Sequence, residues 1–171
     1  HITSLVRSQP NSPELFDLIL TDPPYGDMLS RERTGENKKK GKGAATPFTE
    51  LQSDLGNLTR TEFLSELGSI IKQSLTLLKP KGYCIVFCKD LQPTADHHNM
   101  LHADVVEELL KIPMLRFRGY KIWYDKTPKL YPFGYPFAFV ANQLHQYILI
   151  FRKEEILPAR KSRSVELTVK Q

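Results

Sequence analysis

Four residues in a row, Asp22-Pro23-Pro24-Tyr25, bring together one carboxylate, carbonyls without ladder partners and one phenol ring. They follow Phe16 to Leu20, a short run that is apolar but for Asp17 and reads as a strand buried on both faces of a sheet. Asp22 then falls at the carboxyl end of that strand, the edge where open α/β sheets place their ligands. Pro23 and Pro24 have no amide proton and a fixed φ, so the chain must leave the sheet there and its carbonyls are freed. A planar ligand with an exocyclic amine suits this set. Its two N–H donors would go to Asp22 and the Pro23 carbonyl, and Tyr25 would stack on its face.

The elements that must hold this turn follow in order. Residues 1–15 read as an approach and a connector. Thr59 with Glu62 forms a capping box, and Phe63, Leu67, Ile70, Ile71, Leu75 and Leu78 recur at helical spacing. Lys79-Pro80-Lys81-Gly82 reads as the helix stop, and Tyr83 to Cys88 as the next buried strand. A second helix is predicted from His102 or Ala103 to near Pro113. Arg116 to Tyr124 reads as a third strand, Asp125 to Asn142 as an aromatic, proline-rich loop, and Gln146 to Arg152 as a last strand. No helix fits between those two strands, so they should pair antiparallel.

Asp-Pro-Pro-Tyr after an apolar strand resembles the catalytic motif of the DNA N6-adenine/N4-cytosine amino-methyltransferases. Lys79-Pro80-Lys81-Gly82, Lys89-Asp90, Leu101-His102-Ala103-Asp104, Ile122-Trp123-Tyr124-Asp125-Lys126 and Tyr147 to Lys153 resemble that family in the same order, from about Phe16 to Lys153. The resemblance implies an α/β fold, namely a partial class I (Rossmann-like) methyltransferase with a mostly parallel sheet and a terminal antiparallel strand. It implies S-adenosylmethionine as cofactor, DNA as partner, and methyl transfer to adenine N6 or else cytosine N4. RNA guanine-N2 methyltransferases share the motif and are an alternative. A non-catalytic nucleic-acid-binding subunit is another.

Within that resemblance Asp22, Pro23, Pro24 and Tyr25 are the catalytic residues, and Asp22 and Tyr25 also face the cofactor. Tyr25 is one stacking wall for the base. Among Tyr131, Phe133, Tyr135, Phe137 and Phe139, the three most eligible for the opposite wall are Phe133, Tyr135 and Phe137. The nine glycines include no Gly-x-Gly after a strand. The glycine-rich half of the fold is therefore expected elsewhere, in a missing half of the same enzyme or a complementing subunit.

Charge adds a second class of contact. The net +5 is concentrated in two stretches: Arg31 to Gly43 carries six cations against two Glu, and Arg152 to Gln171 six against three. Lys38, Lys39, Lys40 and Lys42 fit a phosphate-tracking arm within a basic, flexible 27–58 loop, and 154–171 reads as a charged tail to a 1–153 catalytic segment. A phosphate-loop reading of this glycine-lysine run fails, because Gly41 lies one position too far from Gly35 and no Ser or Thr follows Lys42. Asp96, His97, His98 and His102 are the one group with metal-like content, and the expectation is no metal, since methyl transfer by this route needs none. Cys84 and Cys88 on one strand face, and no apolar run of membrane-spanning length, point to a reducing cytoplasm and no membrane.

Overall fold

The structure, a computed structural model, describes residues 15–26, 49–90, 98–126, 132–135, 138–141 and 144–155, with backbone only for 132–135 and 138–141. Strand β1 (Phe16–Thr21) leads through a short 3-10 turn (Leu55–Asn57) to helix α1 (Arg60–Ser74), and another 3-10 turn (Leu75–Leu77) leads into β2 (Leu78–Cys88). Helix α2 (Leu101–Leu110), β3 (Leu115–Tyr124), β4 (Pro132–Tyr135), β5 (Ala138–Ala141) and β6 (His145–Lys153) follow.

The main sheet has the order β1-β2-β6-β3, and β4 and β5 form a separate two-stranded sheet. β1 and β2 are parallel, while β6 is antiparallel to both β2 and β3. The sheet is therefore mixed, which corrects the expectation of a mostly parallel one. The antiparallel strand closes the chain order but sits inside the sheet, so only one of the three neighbouring strand pairs is parallel. The expected antiparallel pairing of the third and last strands is present, from Leu115 opposite Lys153 to Tyr124 opposite His145. The β4–β5 hairpin replaces part of the expected loop. Its prolines and glycine read as loop signals, and the β-branched alternation that marks a strand is too short there.

Local chemistry explains most boundaries. The Thr59 side chain accepts from the Glu62 amide while the Glu62 carboxylate accepts from the Thr59 amide, so the predicted capping box starts α1. The helix ends earlier than its periodicity implies. Lys79 to Gly82 is not a helix stop but an irregular entry into β2, where pairing jumps from Phe16 opposite Leu78 to Leu18 opposite Tyr83. Lys81 takes φ 65° there, and a Cβ on Gly82 would lie 2.8 Å from the Leu78 side chain. Nζ of Lys153 donates to the carbonyls of Leu75 and Leu78, 2.7 Å each, and so caps the carbonyls left over where helix becomes strand. Residues 49–58, placed by sequence in an irregular loop, hold a hydrogen-bonded turn: Asn57 Nδ2 donates to the carbonyls of Thr49 and Leu51, and Asp54 accepts from the Gly56 amide.

The core lies on one face of the sheet. Phe63, Leu67 and Ile71 of α1 and Val105 and Leu109 of α2 are buried against Cys84, Val86, Leu149 and Phe151. Arg60, at the start of α1, pairs with Asp104 of α2 and donates to the buried Asn99 at 2.8 Å, which locks the two helix starts together. Cys84 and Cys88 are free, buried thiols on the helix-facing side of β2. Burial pushes the Cys84 thiol up to about 12, and burial with Asp90 nearby pushes Cys88 higher still, so both stay neutral.

The other face is not covered by the described elements. Phe16, Leu18 and Leu20 are 57 %, 48 % and 59 % exposed. The reading of β1 as a strand buried on both faces is thus corrected, because β1 is an edge strand with helices on one side only. Its apolar sequence fits two covered faces, and the described elements cover one.

Candidate active site

β1 ends at Thr21, and Asp22 to Tyr25 leave the sheet in an irregular turn that closes at Gly26. Gly26 has φ 63°, and a Cβ there would stand 3.0 Å from the Leu58 carbonyl oxygen, so the turn needs glycine on both counts. Asp22 is exposed, whereas Pro23 is buried and anchors the turn. Tyr25 Oη donates to Asp22 Oδ1 at 2.8 Å, and the ring packs against the helix-side core. Burial, and then the neighbouring carboxylate, raise the Tyr25 phenol far above its ordinary range. It stays protonated and remains a donor to Asp22. The carboxylate is held by one neutral hydrogen bond and makes no ion pair with a described residue.

A cavity of about 250 Å³ opens beside Asp22, lined also by Lys89, Trp123, Asp125, Leu144, His145 and Gln146. Strand register accounts for this grouping. Phe87 stands opposite Ile148 and Trp123 opposite Gln146, so β2, β6 and β3 present Lys89, Gln146 and Trp123 on the uncovered face, next to the tip of β1. The Trp123 indole is 58 % exposed and meets the Phe87 ring edge-on at 6.0 Å. The Asp125 amide donates to the Leu144 carbonyl at 2.8 Å and closes the rim between β3 and β6. Among the described residues, Asp22 and Asp125 bring carboxylates and Lys89 an ammonium to the rim.

On the helix side of the same edge lies a second cluster. Asp90 accepts from the His102 amide at 2.9 Å, and both its oxygens lie within 2.8 Å of His102 Nδ1. The His102 ring stacks on Tyr147 at 4.0 Å, and Tyr147 meets Tyr120 edge-on. Asp90 here acts as the cap of α2, since Met100 at the N-cap position offers no side-chain bond.

The expected site residues thus divide. Asp22, Pro23, Pro24 and Tyr25 stand together at the strand tip. Phe133 and Tyr135 lie on the β4 backbone, opposite Val140 and Ala138. Phe137, Lys38, Lys39, Lys40, Lys42, Asp96 and His97 lie outside the described residues, and among those described no group of three or more His, Cys, Asp or Glu could hold a metal. Lys89, Trp123, Asp125 and Gln146 join the lining without having stood out in the sequence as site residues. Lys89, Trp123 and Asp125 stand in runs that carry the family resemblance, but only strand register shows which of them share a face.

A mixed α/β sheet with a carboxylate turn and a cavity at the carboxyl edge of its parallel strands defines an α/β domain with a ligand site at that edge. The model of the N6/N4 DNA methylase family matches residues 16–170, and the chain belongs to this family. No curated protein matches it significantly. Among solved structures, a candidate DNA modification methylase of Thermus thermophilus, TTHA0409, is similar at 21 % identity. The match covers 90 % of this chain, with TM-scores of 0.53 for a selenomethionine form and 0.54 for another. A third structure of that methylase, complexed with S-adenosyl-L-methionine, matches at TM-score 0.52. This chain spans about half the length of these structures, 50–52 %. At this identity the likeness concerns the fold.

The donor set fits one end of such a cofactor. A sulfonium is a cation, and the exposed Asp22 carboxylate at the cavity complements it. For the ribose and methionine ends, the described residues offer no glycine-rich turn after a strand.

Proposed function

We propose that this chain is the base-binding half of a DNA methyltransferase that modifies the exocyclic amine of a base swung out of the duplex, adenine N6 or else cytosine N4. The observation that carries the reading is the placement of Asp22, exposed at a stiff strand tip, bonded among the described residues to a neutral phenol and lining a cavity. S-adenosylmethionine, when bound, supplies an electrophilic methyl group. The rest of the work belongs to the chain.

An aromatic amine is a poor nucleophile because its lone pair is delocalised into the ring. Asp22 and the Pro23 carbonyl accept its two N–H bonds, favour the pyramidal geometry in which the lone pair turns outward, and stabilise the positive charge that develops on nitrogen. Tyr25, held protonated, fixes the carboxylate orientation from the opposite side. As the nitrogen–methyl bond forms, the donor's sulfur–methyl bond breaks to leave a neutral thioether, and the nitrogen becomes cationic and yields its proton to solvent, so no strong base is needed beforehand. The base must leave the stack to reach this edge, at a cost of a few kcal/mol that contacts in the cavity offset.

The test uses the intact polypeptide that carries this chain. Asp22→Ala should lower methyl transfer to DNA by about 10²- to 10³-fold and leave DNA affinity within a few fold. Loss of both together would make Asp22 a folding residue and end the proposal. A second reading, a nucleic-acid-binding subunit without its own cofactor site, draws on the uncovered sheet face. Calorimetric titration with S-adenosylmethionine separates the two, since no heat at high concentration favours the second.

A further inference from the structure

Aromatic residues after the third strand offer themselves in the sequence as the second wall of a base pocket. Within the described side chains, however, the rings that share a cavity with Asp22 are those of Trp123 and His145, and the indole is the larger stacking surface. We infer that Trp123 is the platform on which the extruded base stacks, facing the carboxylate that grips its amine. This inference rests on the methyl-transfer reading of the site and deepens it.

Three observations carry it. First, Trp123 is 58 % exposed although its register partner Gln146 is half-buried, and a large indole left in solvent at a cavity wall is an unmet stacking surface. Second, the indole is braced. Phe87 meets it edge-on at 6.0 Å and 76°, a geometry that holds the ring while leaving a face free. Third, Tyr25 is committed elsewhere: its hydroxyl bonds Asp22 and its ring packs on the helix-side core. The uncovered face needs a wall of its own, and Trp123, paired in register with Gln146, supplies it.

Trp123 is the one tryptophan of the 171 residues, so its emission reports on it. The probes are a short oligo-dA strand and a strand of equal length and charge made only of abasic sites. Each is titrated into the intact protein and its Trp123→Phe variant, and the difference isolates the Trp123 signal. Oligo-dA should quench that signal and the abasic strand should not, although anisotropy shows that both bind. Trp123→Ala should weaken oligo-dA binding by roughly 5- to 140-fold, with little change for the abasic strand, and Trp123→Phe should restore most of the loss. Equal quenching by both strands, or an unchanged oligo-dA affinity in Trp123→Ala, overturns the stacking role. Failure of the parent reading looks different: the wild-type protein would transfer no methyl group to DNA while oligo-dA still quenched selectively.

Discussion

At the scale of single residues, the decisive contact is the one between Tyr25 and Asp22. A phenol whose ionisation is pushed far upward keeps its proton and gives it to the carboxylate as a hydrogen bond, and so orients Asp22. Tyr25→Phe keeps the ring packing and releases the carboxylate. It should reduce kcat by about tenfold, the lower end of the range for a hydrogen bond to a charged group, with KM nearly unchanged. Steady-state kinetics on DNA checks this, and an unaltered kcat would leave Tyr25 with packing alone. The motif itself is legible in the sequence because two prolines after an apolar run dictate where the strand stops. The partners of Asp22 in the cavity are not, because Lys89 follows β2 while Trp123 and Gln146 lie on β3 and β6, and they meet only through register.

At the scale of elements, α1 is the most legible part of the sequence and its start the best determined. Thr59→Ala removes one side of the capping box and should cost about 1 kcal/mol in chemical denaturation. The Thr59 hydroxyl and amide, which both donate to Glu62, hold its carboxyl below the usual glutamate range. A carboxyl lowered in the folded state stabilises at pH above its unfolded value and loses that contribution as pH falls through the folded one. The gap between wild type and Thr59→Ala should therefore narrow in acid. A gap of constant size would show that Glu62 plays no part.

The end of α1 departs from its sequence signal for an instructive reason. Lys-Pro-Lys-Gly satisfies the chemistry of a helix stop, but the same four residues serve equally as a bulge at a strand entry, and the difference lies in Lys153 reaching back from β6. The basic run belongs to this scale too. Replacing Lys38, Lys39, Lys40 and Lys42 with Gln should lower the slope of log affinity against log salt by up to about 3.6, read from DNA binding at several salt concentrations. An unchanged slope would make the run a solvated linker.

At the scale of the whole molecule, the described elements cover the main sheet on one face. Core packing between the helices and one face accounts for the buried residues, and the β1 apolar side chains on the other face remain exposed. An exposed apolar strand at a sheet edge is a docking or aggregation hazard. The 171-residue chain alone should accordingly bind a hydrophobic dye, and Leu18→Ser with Leu20→Ser should reduce that fluorescence without lowering stability. A destabilised double variant would place those leucines in a core after all.

The break in β3 between Phe117 and Gly119 decides which way the end of that strand looks. One additional residue, relieved by Gly119 at φ 112°, inverts the in–out sequence of everything downstream, so that Tyr120, Ile122 and Tyr124 fall beside Leu149, Tyr147 and His145 while Lys121 and Trp123 turn the other way. Were β3 and β6 paired residue for residue past Phe117, with Arg118 opposite Ile150, Tyr120 and Ile122 would stand on the face where the indole now is, and Trp123 would turn to the helix side. One residue left without a partner thus decides which side of the sheet the indole serves.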